Sequence, residues 1–272
     1  MSTIEQRINL LQSFMKEKNL DALYISGTDV HLSEYVAPRF RTREWVSGFT
    51  GSAGTVILTQ EETHLWVDSR YFIQASLQIE NTPIILEKLG MEGVLDPFTW
   101  IAKKDSIKVI GLDKNSMSVA SYRALEALTE PRGINITLLE DFFDFDQLWP
   151  SRPAIPHSSL IELKDNIAGV SRKEKIATIR KALQEKGAAS TIVTTLDDIA
   201  WITNLRGKDL PHTPVFFSYL IITMDEVILC TDATRFNKEL LKEFSKEIKV
   251  VPYNSLKEAI NSSIAPKSQV YL

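Results

Sequence analysis

The sequence is poor in the residues that build disulfide and metal sites. It contains one cysteine, Cys230, and four histidines among 272 residues. A single cysteine excludes a disulfide framework and a cysteine-rich zinc site, and it suits a reducing compartment. Four histidines scattered along the chain argue against a histidine-rich metal centre. We therefore look for function outside these classes.

The sequence also lacks an excess of positive charge and a long apolar run. It has 31 Lys+Arg against 35 Asp+Glu, a formal net charge of −4. A general nucleic-acid binder needs a basic face, so we expect no nucleic-acid partner. No segment reaches the roughly 18 apolar residues of a membrane span. Charges within the first seven residues argue against a signal peptide. We expect a cytoplasmic protein with no membrane contact.

Hydrophobic spacing predicts an α/β fold in the first half of the chain. Apolar residues at helical spacing predict a helix over 2–18, with Ser2 or Thr3 as its cap and Glu5 closing a capping box from Ser2. Strands and helices then alternate, and one pair of strands forms a hairpin, so we expect a mixed sheet with flanking helices. The predicted strands are 21–26, 54–59, 63–68, 84–88, 107–112 and 134–139, and the predicted helices are 70–77, 96–103 and 118–128.

The second half begins after a proline-rich segment. Residues 149–156 hold three prolines and suit an extended linker, so we place the domains at 1–150 and 151–272. A capping box from Ser171 to Glu174 opens the next helix, which ends near Gly187. The predicted strands are 191–195, 219–223, 227–231, 250–253 and 269–272, and the predicted helices are 238–244 and 256–264.

The second domain repeats landmarks of the first in the same order. In each domain an amphipathic helix, a strand, a tryptophan and a hairpin follow one another. The hairpin ends in Asp68, Arg70 and an aromatic residue in the first copy, and in Asp232, Arg235 and Phe236 in the second. The order of these landmarks favours duplication over two unrelated α/β units, because loops absorb the differences in length at little cost.

A glycine-rich stretch, residues 48–54, admits two interpretations. An anion-binding loop is one of them, and it would support a nucleotide-binding protein. However, the stretch lacks the Gly-Lys-Ser/Thr ending, and a predicted strand follows it where a helix would be needed. Ser52 also lacks the Gly-x-Ser-x-Gly context of a nucleophile elbow. A close-packed turn that leads into the hairpin is therefore the favoured interpretation.

Polar residues near strand ends are the candidate functional groups. His31 lies between Asp29 and Glu34, a spacing that suits a hydrogen-bonded structural histidine better than a metal site or a catalytic one. Arg70 either pairs with Asp68 as a structural ion pair or reaches towards a carboxylate or peptide group. Further candidates are Tyr71, Arg206 and Asp209. The acidic and aromatic run 141–149 is interpreted as the packed end of the first domain.

Five ordered motifs carry a resemblance to a known family. Together they resemble the long, three-domain form of the Xaa-Pro aminopeptidases (aminopeptidase P), and the resemblance extends over essentially the whole chain. The motifs are Thr28–Pro38, Trp45–Gly54, Val67–Phe72, Leu196–Gly207 and Pro214–Tyr219.

The resemblance implies a fold, and it implies that catalysis belongs to a further domain. It implies two tandem, related creatinase/prolidase N-terminal domains with a ribonuclease H-like α/β fold. In the family, a third domain binds two metal ions, usually manganese, and these activate the hydroxide that attacks the peptide bond before proline. The sequence stops at Leu272, within a predicted strand. We therefore expect a second domain truncated at its end, no catalytic residue or metal ligand in this chain, and no peptide hydrolysis by it alone.

Two hypotheses about function follow. The first is the non-catalytic N-terminal portion of a cytoplasmic Xaa-Pro aminopeptidase, which acts on peptides with proline in second position. In it the two domains would shape substrate access and support a homodimer, with Arg70 as the first candidate to reach the substrate, ahead of His31, and Tyr71, Arg206 and Asp209 as further candidates. The alternative is a free-standing binding or dimerisation module derived from the same domains.

Overall fold

The computed structural model describes residues 2–139 and 145–272. The run 141–149 singled out in the sequence falls partly outside these residues. Contacts divide the chain into two compact units, residues 1–154 and residues 155–272. Among the described residues, no helix is long and apolar enough to cross a membrane.

The first unit is built on a mixed sheet flanked by helices. Its strands are β1 (Ala22–Ile25), β2 (Thr55–Thr59), β3 (Thr63–Val67), β4 (Ile84–Lys88), β5 (Val109–Asp113) and β6 (Asn135–Leu139). Its helices are α1 (Ile4–Glu17), α2 (Thr42–Ser47), α3 (Phe72–Gln78), α4 (Pro97–Lys103), α5 (Val119–Thr129) and α6 (Phe145–Leu148). The strand order is β4-β3-β2-β1-β5-β6. Strand β1 pairs antiparallel with β2 and parallel with β5.

Alternation along the strands buries both faces of this sheet. Leu23 and Ile25 of β1 pack with the buried face of α1, whereas Ala22 and Tyr24 point into a second cluster with residues of α4 and α5. Side chains of a strand alternate between faces, so one short apolar strand serves two cores. The three-layer arrangement confirms the predicted mixed sheet with flanking helices.

The first helix is capped by Thr3, one of the two cap residues predicted from the sequence. Thr3 accepts a hydrogen bond from the Gln6 backbone N–H (3.2 Å), and the Gln6 side chain accepts one from the Thr3 backbone N–H (2.9 Å). The predicted box from Ser2 to Glu5 is therefore wrong. Glutamine and glutamate close such a box equally well, so the sequence offered two adjacent registers. The Ser171–Glu174 box is confirmed.

The second unit repeats the sheet of the first with one strand fewer among its described residues. Its strands are β7 (Ile161–Glu162), β8 (Ser190–Val193), β9 (Leu205–Arg206), β10 (Tyr219–Thr223), β11 (Val227–Cys230), β12 (Lys249–Val251) and β13 (Val270–Tyr271). Its helices are α7 (Asp165–Ala168), α8 (Arg172–Glu185), α9 (Leu196–Thr203), α10 (Lys238–Phe244) and α11 (Leu256–Ser263). The order β12-β11-β10-β8-β13 matches β4-β3-β2-β1-β5 strand for strand. Strands β7 and β9 pair separately.

Candidate functional site

A cleft opens in the first unit where two parallel strands end. Strands β1 and β5 lie side by side, and the sheet continues to β2 on one side and to β6 on the other. The chain therefore leaves the carboxyl ends of β1 and β5 towards opposite sides. Ligands of open α/β sheets bind in the crevice that such a reversal creates. The topology alone predicts a binding site at this edge.

More than half of the residues that line the cleft carry a hydroxyl group. The volume of the cleft is about 450 Å³, within the range of small-molecule sites. Nine of its sixteen lining residues carry a hydroxyl, so the surface offers both hydrogen-bond donors and acceptors. The hydroxyls nearest the strand ends come from Ser26 and Thr28 after β1 and from Ser116, Ser118 and Ser121 around the start of α5.

The end of the glycine-rich loop forms one wall of the cleft, and a buried arginine forms hydrogen bonds to the backbone of this loop. Arg43 on α2 is only 6% exposed, and its guanidinium donates to the carbonyl oxygens of Gly51 and Gly54 and lies over the Phe49 ring. No carboxylate among the described residues forms an ion pair with it. Burial lowers the pKa of Arg43 to about 10.

Close packing explains the glycines of this wall. A Cβ at Gly51 would lie 2.2 Å from the Phe49 ring, and one at Gly27 would lie 2.4 Å from Nη1 of Arg43. The loop runs directly into strand β2, so no helix begins there to receive a phosphate. These contacts agree with the packed-turn interpretation of residues 48–54.

Arg70 lines the cleft and is paired with its own neighbour. Its Nε and Nη2 donate to the two Asp68 carboxylate oxygens at 2.9 and 2.8 Å. These bonds lower the pKa of Asp68. Arg70 is largely exposed, and its Nη1 makes no hydrogen bond within the described residues. The Nη1 group of the guanidinium therefore remains available to a ligand.

The neighbouring residues give the cleft one acid and one helix end. Glu34 lines the cleft and forms no hydrogen bond or ion pair within the described residues. Helix α5 begins beside the cleft, where the Ser118 side chain accepts from the Ser121 backbone N–H at 3.1 Å. The first turn of α5 holds no acidic residue, so nothing offsets the positive end of its dipole there.

The remaining sequence candidates of the first unit lie around this cleft. The Tyr71 hydroxyl is 2.8 Å from the hydroxyl of Ser52, which lines the cleft. His31 is buried and does not line it. The backbone N–H groups of His31 and Ser33 donate to Asp29 Oδ1 at 2.9 and 3.0 Å, so Asp29 fixes the turn that carries His31.

The two candidates of the second unit make internal contacts. Arg206 Nη1 donates to the carbonyl oxygens of Ala200 and Leu205, at 2.6 and 2.8 Å. The Asp209 side chain is fully buried, and its Oδ2 receives a hydrogen bond from Arg235 at 2.6 Å. Arg235 is itself 4% exposed and also donates to the carbonyl of Pro156. Arg235, which follows the hairpin and is the repeated arginine of this unit, therefore bonds both Asp209 and the start of the unit.

Sequence reasoning missed several groups of the site. Nothing in the spacing around Arg43 marked it as a buried cation, because its partners are backbone carbonyls. Glu34 was noted only as a possible metal ligand. The serines at the start of α5 carried a readable signal, since Ser118 was the predicted helix start. Among the described residues, no group of three or more His, Cys, Asp or Glu side chains could hold a metal ion, so these residues do not fit a dinuclear metal centre.

Both halves of the chain match models of one family. The Creatinase/Prolidase N-terminal domain model Creatinase_N matches residues 7–141, and the related model Creatinase_N_2 matches residues 151–272. The chain belongs to the creatinase/prolidase N-terminal domain family. The resemblance found in the sequence and its two-domain α/β fold are thereby confirmed.

Longer proteins are similar to this chain over almost its whole length. The chain is 38% identical over 253 residues to a probable Xaa-Pro aminopeptidase P of Talaromyces stipitatus, and 35% identical over 260 residues to one of Aspergillus niger. These alignments cover 92% and 94% of this chain but 38% and 42% of the relatives. The chain thus spans about two fifths of the length of these relatives.

A solved structure shares the whole fold of the pair. It is described as an X-prolyl aminopeptidase from Caenorhabditis elegans, a cytosolic enzyme with a di-nuclear active site. The match has a TM-score of 0.90 at 25% identity and covers 100% of this chain and 47% of that chain.

Proposed function

We propose that this chain supplies the two non-catalytic N-terminal domains, residues 1–150 and 151–272, of a metal-dependent Xaa-Pro aminopeptidase. The observation that carries the proposal is the likeness of the whole chain to slightly less than half of an X-prolyl aminopeptidase with a di-nuclear site. The names of the curated relatives support the same activity. In this proposal the two metal ions, manganese, are bound by residues outside this chain.

The proposed substrates are peptides with proline in second position, which a cytoplasmic homodimer would process. The two domains would restrict which peptides enter. Arg70 is the strongest candidate for contact with the peptide, because it is exposed and its Nη1 group makes no hydrogen bond within the described residues. Tyr71 supports it, since the Arg70 guanidinium lies 5.2 Å from the centre of the Tyr71 ring.

Peptide hydrolysis measured with and without the rest of the enzyme tests the proposal. This chain alone, supplied with manganese, should release no amino acid from an Xaa-Pro peptide. A fusion of this chain to the remaining part of a fungal relative should do so. Metal-dependent turnover by the chain alone would overturn the non-catalytic role. A fusion that folds and binds metal but stays inactive would overturn the assignment to this enzyme.

The role of Arg70 has its own readout in that fusion. Arg70→Gln should raise KM on the order of tenfold and leave kcat within about twofold, because a charge-assisted hydrogen bond to the peptide is lost. Arg132→Gln is the matched control, since Arg132 is also exposed and paired with a neighbouring acid, Asp105. An unchanged KM in Arg70→Gln would remove Arg70 from the path of the peptide.

The mass of this chain in solution tests the dimer. Sedimentation equilibrium should give twice the chain mass of 30.8 kDa. A monomeric chain would place the dimer contacts outside these residues. A dimeric chain whose fusion has no peptidase activity would instead support the free-standing dimerisation module.

A further inference from the structure

The cleft at the ends of β1 and β5 contains unused groups of both charges. Glu34 supplies a carboxylate that forms no hydrogen bond or ion pair within the described residues. Arg70 supplies the Nη1 group of its guanidinium. The Asp68 carboxylate has the largest effect in raising the pKa of Arg70, and the negative charge of Glu34 raises this pKa by a smaller amount. The cleft therefore has a negative and a positive group that a ligand can engage together.

Two further features add positive potential around the cleft. Helix α5 has eleven residues and begins beside it, with no acid in its first turn. Its backbone N–H groups and the Ser118 and Ser121 hydroxyls suit a carboxylate oxygen. The Arg43 guanidinium lies directly behind Gly27 and Gly54, and its Nε is buried without a hydrogen-bond partner. An unpaired buried cation behind a wall attracts an anionic group in front of it.

The mixture of charges selects among ligand classes. A purely anionic ligand, such as phosphate or a nucleotide, would be repelled by Glu34, although the other groups of the cleft attract it. A purely cationic ligand would be repelled by Arg70 and by Arg43. A molecule with an ammonium group and a carboxylate matches both, and the hydroxyls of the cleft can bond the amide groups between them.

We infer that this cleft binds a small zwitterion, either a free amino acid or a short peptide, with Glu34 on the ammonium group and Arg70 with the start of α5 on the carboxylate. The cleft volume of about 450 Å³ lies within the range of sites for small molecules. The binding takes place within this chain and goes beyond the proposed function. It does not depend on the metal site or on turnover.

Titration of the ¹⁵N-labelled chain followed by NMR tests the inference. Ala-Ala should shift the amide signals of residues 26–34, 52–55 and 116–121, with a Kd on the order of 0.1–1 mM. N-acetyl-Ala-Ala lacks the ammonium group, and Ala-alaninamide lacks the carboxylate. Each should bind at least fivefold more weakly than Ala-Ala. Free alanine and trialanine distinguish the two sources of the zwitterion, and tight binding of either supports the inference.

Single variants assign each charge to its partner. Glu34→Gln should weaken Ala-Ala about tenfold and leave N-acetyl-Ala-Ala unchanged or tighter. Arg70→Gln should weaken both of these and leave Ala-alaninamide unchanged. The matched controls are Glu61→Gln, in the turn at the far end of β2, and Arg132→Gln, both of which should bind Ala-Ala like the parent chain. Unperturbed signals elsewhere show that each variant is folded.

Three results would overturn the inference. One is the absence of shifts with all three zwitterions up to about 20 mM. Another is equal binding of Ala-Ala and its two blocked forms. The last is binding of inorganic phosphate at least as tight as that of the best zwitterion, which would make the cleft an anion site. Each of them leaves the assignment as part of an aminopeptidase standing, because that assignment depends on turnover by the fusion.

Discussion

Substitution of Asp209 by alanine should lower the free energy of unfolding of the second unit more than the substitution of an exposed residue does. Asp209 accepts four hydrogen bonds while fully buried. Its Oδ1 receives the Ser158 backbone N–H and hydroxyl, at 3.0 and 2.6 Å, and its Oδ2 receives the Phe217 backbone N–H and Arg235, at 2.8 and 2.6 Å. The alanine variant removes the acceptor of all four bonds and leaves the buried Arg235 cation without its carboxylate, with only backbone carbonyl oxygens as partners.

The expected loss is large in relation to the stability of a domain. Breaking a buried ion pair from one side costs about 3–5 kcal/mol, and domains are stable by only about 5–15 kcal/mol. For a unit of this size, that loss corresponds to a fall in Tm of about 10–25 °C. Differential scanning calorimetry measures the fall. Hydrogen exchange with mass spectrometry should place the lost protection within residues 155–272.

Two variants complete the test. Asp225→Ala removes an exposed acid from the turn between β10 and β11 and should change the free energy of unfolding by less than about 0.5 kcal/mol. Asp209→Ala combined with Arg235→Met should be more stable than Asp209→Ala alone, because the unpaired cation is gone. A loss below about 1 kcal/mol in Asp209→Ala would refute the reasoning. So would a double variant less stable than the single one.

Two further predictions concern buried groups. Burial raises the pKa of the Cys230 thiol to about 11 from an ordinary 9.0, so the unfolded thiol ionises first. The contribution of Cys230 to the free energy of unfolding is then fully present below pH 9 and falls by at most about 3 kcal/mol as the pH rises to 11. Urea unfolding of the parent chain and of Cys230→Ala measures this fall, because the difference between their free energies of unfolding should shrink over that pH range. Gly27→Ala should cost about 1–3 kcal/mol, seen as a lower Tm, because its Cβ displaces the Arg43 guanidinium.

Each of these two predictions has a result that contradicts it. A constant difference between the parent chain and Cys230→Ala from pH 8 to 11 would mean that the thiol ionises equally in both states. An unchanged Tm for Gly27→Ala would mean that Arg43 moves aside freely. Ser26→Ala, next to Gly27, is the control that changes the cleft without touching Arg43.

Most of the fold could be predicted because it depends on local patterns. The hairpins β2–β3 and β10–β11 join apolar runs across short polar turns, and Ser171 closes its capping box over three residues. Helix α9 was missed. Its eight residues begin three residues after β8 ends, and a helix that short has few turns in which periodicity can be recognised.

The candidate site was harder to predict because its partners are distant in sequence. Asp209 was a candidate functional residue, but its partner Arg235 lies 26 residues away, so the buried pair could not be recognised from the neighbouring sequence. The repeated Asp–Arg landmark also concealed a difference. Arg70 is exposed beside the cleft and paired with Asp68, whereas Arg235 is buried and paired with Asp209. Equal landmarks in a duplicated sequence therefore do not imply equal roles.

The position of β1 between an antiparallel and a parallel neighbour sets the order of events during synthesis. Hairpin β2–β3 and its pairing with β1 can form early. The other edge of β1 stays unpaired until β5 has been synthesised. The backbone N–H of Val109, the first residue of β5, donates to the carboxylate of Asp21, which lies 88 residues earlier in the chain. Until β5 is present, a fully buried strand presents an open edge to other chains. We expect nascent chains stalled between β3 and β5 to recruit chaperones, and those released after β6 to need none.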